Sequence, residues 1–84
     1  MTKKKYGFIV EVKGGRDAVS SVFHTINNMK GEIYPNIVDD GDTICVEAYI
    51  SDDGANELNK TIRSLPQVSA TTFGWLRSTT NHAI

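Results

Sequence analysis

The chain has a single cysteine, Cys45, in 84 residues, so no internal disulfide can form and cross-links cannot stand in for a core. Histidine occurs only twice. His24 and His82 stand at no spacing from each other or from Cys45 that a zinc site uses, and no metal is expected. Neither sign of charge is in excess, since nine Lys and Arg meet ten Asp and Glu for a net charge of −1. No overall field therefore gathers nucleic acid. Long hydrophobic runs are missing too, and the stretches present are far too short to span a bilayer. The basic start Lys3-Lys4-Lys5 is not followed by the apolar segment that a secretory signal needs. These absences lead us to expect a reducing, cytoplasmic setting without a membrane partner.

What is present suits one small globular domain. Hydrophobic residues make up 39% of the chain, with seven glycines besides, and 84 residues are too few for two independent cores. Tyr6, Phe8, Val10 and Val12 alternate with Gly7, Ile9 and Glu11, the period of a strand with one buried face. Val19, Val22, Phe23, Ile26 and Met29 then recur at steps of three and four, which predicts a helix over 17–29 with Asp17 as N-cap and Gly31 as left-handed C-cap.

Asp39-Asp40-Gly41-Asp42 predicts a hairpin with Asp40-Gly41 as a two-residue loop. Pairing outward sets Ile37 against Ile44, Pro35 against Val46 and Ile33 against Ala48 on one face. Val38, Asn36, Tyr34 and Glu32 then meet Thr43, Cys45, Glu47 and Tyr49 on the other. In this scheme Pro35 falls where an amide should bond across the ladder, so strand two is expected at an edge, bulged near the proline. Ser51-Asp52-Asp53-Gly54 caps a second helix carrying Ala55, Leu58, Ile62 and Leu65, which Pro66 ends. Val68, Ala70 and Thr72 alternate with Ser69, Thr71, Phe73 and Trp75 in a last strand, and a polar, mobile tail is expected over 77–84.

The order β-α-β-β-α-β predicts an α+β, ferredoxin-like sandwich over 1–76. Its four-stranded antiparallel sheet has the order 4-1-3-2 and carries two helices on one face. The expected core takes Phe8, Val10, Val12, Ile33, Ile37, Ile44, Val46, Ala48, Ile50, Val68 and Ala70. The bare face is expected to carry Ile9, Tyr34, Val38, Cys45, Tyr49, Phe73 and Trp75. A patch of that size and character calls for a cover, and a two-fold dimer hides it twice with one interface.

Chemistry is thinner. Gly14, Gly15, Arg16 and Asp17 place amides, a helix dipole and a cation together, the makings of a site for a small anionic ligand. There is no phosphate-loop pattern, no nucleophile, histidine and carboxylate constellation, and no paired acid and base, so no enzyme and no cofactor are expected. Rings on an open sheet also invite stacking on RNA, yet strand three lacks the basic-Gly-aromatic run of RNA-recognition motifs. Glu11 and Glu47 in mid-sheet would repel phosphates.

Tyr6 to Val12, the Gly14-Gly15 loop and Leu65-Pro66-Gln67-Val68-Ser69-Ala70-Thr71-Thr72 together resemble small ACT-like regulatory domains. Such domains end a helix near a Leu-Pro-x-Val segment and oligomerise through their sheets. The resemblance implies a non-enzymatic, homodimeric regulatory or ligand-binding module, with Ile9, Tyr34, Val38, Tyr49, Phe73 and Trp75 at the interface and a ligand at the Gly14 to Asp17 loop. The alternative is an adaptor or inhibitor that docks another protein through the same rings; RNA binding comes third.

Overall fold

The structure, a computed structural model of the chain, describes residues 3–38 and 41–75. Its elements run β1 (Lys4–Val12), α1 (Gly15–Asn27), β2 (Ile33–Ile37), β3 (Thr43–Ile50), α2 (Asp52–Arg63) and β4 (Val68–Trp75). The four strands form one antiparallel sheet in the order β2-β3-β1-β4, which counted from the β4 edge reads 4-1-3-2. This is a small α+β domain, and the expected tail over 77–84 lies outside the described residues.

Tyr6, Phe8, Val10 and Val12 of β1 and Ile44, Val46 and Ala48 of β3 share one core with Val19, Val22 and Ile26 of α1 and Ala55, Leu58 and Ile62 of α2. Both helices therefore cover the same side of the sheet, and the odd-numbered residues of β1 and β3 point away from them. The seven largest of the almost wholly enclosed side chains are led by Phe8, Ile26 and Ile44. Each contributes on the order of 1.5–3 kcal/mol relative to exposure.

The β2–β3 register pairs Ile33 with Ala48, Pro35 with Val46 and Ile37 with Ile44, as the alternation of apolar residues requires. Two details of the hairpin differ from expectation. The Val38 amide donates to the Thr43 carbonyl at 2.9 Å, and the Gly41 amide donates to the Val38 carbonyl at 2.9 Å. The loop is therefore closed by Val38 and Thr43, one pair earlier than a two-residue loop would close. The parity of the ladder shifts with it. The amide of Tyr49 donates to the Glu32 carbonyl at 3.0 Å, and bonded pairs alternate with unbonded ones, so Pro35 and Val46 form an unbonded pair. Proline's missing N–H faces the open edge of the sheet, and the register passes Pro35 without the expected bulge. Ile37 is on the helix side but ends the outermost strand, flanked by one neighbour only, and is 42% exposed.

Helix α1 starts two residues earlier than expected. Its N-cap is Gly14, at φ 109°, with no side-chain cap, and Gly15 follows at φ 81°, so Asp17 lies inside the first turn. The chain turns from β1 into α1 through left-handed backbone that only glycine adopts at little cost. A Cβ on Gly14 would also approach Ala18 Cβ to 2.9 Å. The helix ends at a right-handed Asn28 cap, and Gly31 takes its positive φ in the connection beyond. In α2 the Ser51 hydroxyl accepts from the Gly54 amide at 3.1 Å, as its place before two aspartates suggests.

The largest departure is in β4. Glu11 pairs with Ala70 but Val12 pairs with Val68, so Ser69 is an extra residue on that strand. Its hydroxyl donates to the Glu11 carbonyl at 3.2 Å. One added residue exchanges the faces of everything beyond it. Thr71, Phe73 and Trp75 thereby stand against Val10, Phe8 and Tyr6 on the helix side, and Ala70, expected in the core, is exposed on the bare side.

Candidate functional site

The bare side of the sheet keeps four of the six residues expected at an interface. Ile9 is 50% exposed, Tyr34 56% and Tyr49 41%, and Val38, bonded to Thr43, is half-buried on the same side. Phe73 and Trp75 are corrections. The Phe73 ring stacks on Phe8 with centroids 5.2 Å apart and 15° between planes, and it lies 6.0 Å from Tyr6. It belongs to the margin of the core. Trp75 is 56% exposed at the β4 edge, where the Lys4 ammonium sits 4.8 Å from its ring centroid, close enough for a cation–π contact.

Lys4 also ties that edge to α2. Its ammonium is 3.3 Å from an Asp52 oxygen, and the Tyr6 hydroxyl donates to the same carboxylate. The hydrogen bond from Tyr6, and then that from Lys4, hold the Asp52 carboxyl below its usual range, while the bond to Asp52 and partial burial push the Tyr6 phenol up. This group closes the seam between β1, β4 and the start of α2.

The feature of the bare face that the alternation of apolar residues did not disclose is a hole. Gly7 pairs with Gly74, so β1 and β4 present bare backbone side by side. Among the described residues, a Cβ on Gly74 would meet nothing within 4 Å. A groove of about 390 Å³ lies over this floor, lined by Gly7, Ile9, Cys45, Glu47, Thr72 and Gly74, with Trp75 at its margin. Glycine inside a strand is the signal that could have found it, because it often marks a place where another group comes close. The Lys5 ammonium is 3.5 Å from Glu47, one of the lining residues. Cys45, half-buried, pairs with Ile9 on one side and Asn36 on the other.

Gly14, Gly15, Arg16 and Asp17 are all exposed at the start of α1. No polar or charged residue among the described ones is buried as a whole there or elsewhere, and the enclosed side-chain atoms, Asn59 Oδ1 and the Thr71 hydroxyl, lie away from this loop. The loop thus offers an anion backbone donors and one cation, without enclosure. Asp39 and Asp40 lie outside the described residues. Without Phe73 and Trp75 the bare face also lacks two of the rings that a base-stacking platform would use, while Glu11 and Glu47 stay exposed on it. No helix among the described residues is long and apolar enough to cross a membrane. No family model matches the chain, and neither a curated protein nor a solved structure matches it.

Proposed function

We propose that the chain is a non-enzymatic assembly module, a ferredoxin-like domain that homodimerises through the bare face of its sheet, in the regulatory manner that its resemblance to ACT-like domains implies. The observation that carries this reading is the groove over Gly7 and Gly74 with Ile9, half exposed, standing beside it. Exposed Tyr34 and Tyr49 extend the apolar surface across β2 and β3.

Size supports a modest interface. Four strands spaced about 4.8 Å apart and about eight residues long give a flat footprint on the order of 500 Å². Side-chain relief raises the accessible area toward the ~800 Å² per partner of a standard interface. Loss of Phe73 and Trp75 from this face lowers its apolar content, so micromolar association is expected. The exposed start of α1 has nothing to enclose a ligand, and the assembly surface carries the proposal.

Light scattering across protein concentrations tests it. The wild type should pass from monomer to dimer in the micromolar range, and Ile9→Asp should stay monomeric with an unchanged circular dichroism spectrum. A wild type that is monomeric well above that range would refute the proposal. A stoichiometric complex with a different protein that Ile9→Asp abolishes would favour the adaptor instead.

A further inference from the structure

Along β1 the bare face presents four residues in succession, Lys5, Gly7, Ile9 and Glu11, which are a cation, a hole, a knob and an anion. Read in the opposite direction the same quartet is its own complement. We infer that two copies pack face to face about a two-fold axis crossing β1 at Phe8. Ile9 of each copy then enters the other's Gly7–Gly74 hole, and Glu11 of each meets the other's Lys5. This rests on the homodimer proposed above and specifies its register.

The axis exchanges position 9 with 7 and position 11 with 5, and on β4 it sets Thr72 against Gly74 of the second copy. Shape agrees, since the hole is floored by backbone from two adjacent strands and a Cβ on Gly74 meets nothing among the described residues. The half-exposed Ile9 supplies the side chain to fill it. Charge agrees as well. Glu11 is exposed with no ion pair to a described residue, whereas Lys5 has Glu47 at 3.5 Å and donors left for a second carboxylate. Packed sheets stand about 10 Å apart and cross at about 30°. Lys5 and Glu11 each lie three residues, roughly 10 Å, from the axis, so crossing displaces them sideways by only about 5 Å. A lysine side chain spans that. The reversed quartet also excludes the parallel arrangement, which would set Lys5 on Lys5 and Ile9 on Ile9.

Within one chain Lys5 and Glu11 are six residues apart on a strand, roughly 20 Å, beyond the Debye length at physiological salt and too far to contact each other. Coupling between them can only be intermolecular, which makes charge reversal a clean test. Lys5→Glu sets two pairs of carboxylates face to face and Glu11→Lys two pairs of ammonium groups. Each variant alone should dimerise at least about tenfold more weakly than the wild type. An equimolar mixture should recover dimers, and native mass spectrometry should show them as heterodimers. Circular dichroism of each variant confirms that it is folded. A wild type that never dimerises overturns both this register and the homodimer. A wild-type dimer that Ile9→Asp disrupts, with charge variants that dimerise normally or fail to recover on mixing, overturns the register alone.

Discussion

Phe73→Ala separates a core role for this ring from a surface one. A fully buried phenylalanine cut to alanine costs about 3–5 kcal/mol. Phe73 is only partly buried against the core, which scales that to about 2 kcal/mol. Losing the stacked contact with Phe8 at 5.2 Å adds about 0.5–1 kcal/mol. The expected loss of about 2–3 kcal/mol is a large part of the roughly 4–12 kcal/mol that a domain of this length holds. Urea denaturation followed by circular dichroism is the assay, run dilute enough that association contributes nothing. With an m-value of about 1 kcal/mol/M, the midpoint should fall by about 2–3 M. Thr72→Ala, on the bare face next in sequence, should move it by less than about 0.5 M. A Phe73→Ala midpoint close to the wild type, combined with weaker self-association, would place the ring on the bare face and refute the bulge at Ser69.

Gly14→Ala should destabilise by about 1–3 kcal/mol, because positive φ and the 2.9 Å approach to Ala18 Cβ add together. Gly15→Ala, strained by φ alone in open space, should cost about 1 kcal/mol, and equal effects in thermal melts would contradict the described turn. Thr71→Val should stabilise by up to about 1 kcal/mol, since the Thr71 hydroxyl is buried without a partner among the described residues; a lower melting temperature would count against that. Asp52 has a lowered pKa, so its contribution to stability is complete above the ordinary carboxylate value of about 4 and is lost as pH falls below it. Tyr6 has a raised pKa, so its share is complete below about 10 and is lost as pH climbs through the folded value. Tyr6→Phe should flatten both limbs of the stability profile; a profile of unchanged steepness would show that the Tyr6 bond to Asp52 does not set it.

The parts of the fold that follow strict alternation or a helical stripe were legible in the sequence. β1, the β2–β3 register and the buried face of α2 all come from apolar spacing that admits one packing. Where several backbone solutions satisfy one pattern, the sequence does not choose. Asp17 can cap a helix, but two glycines next to β1 let α1 begin sooner. Asp40-Gly41 suits a short loop, yet bonding of Val38 to Thr43 leaves the apolar register intact while reversing which amides face the edge. β4 is the instructive case, because Val68 and Phe73 are both apolar and stand at opposite parity. That conflict is resolved either by greasy residues on two faces or by one inserted residue. Only contact with Phe8 and Tyr6 decides for the second, and it takes Phe73 and Trp75 out of the candidate interface. The hole at Gly7 and Gly74 was legible only in part: a glycine inside each strand hints at a close approach, but their pairing depends on a register that the bulge itself sets.

The single cysteine offers the most direct check on the central claim, that a second copy covers the bare face. Cys45 lies on that face beside Ile9 and lines the groove, and every label on the protein reports from this one site. The rate of iodoacetamide labelling should fall as protein concentration rises, by about tenfold once it exceeds the dissociation constant some fiftyfold, in step with the dimer fraction from light scattering. A rate that stays constant while dimers accumulate would contradict the account, for it would show the copies meeting elsewhere and leaving this face in water.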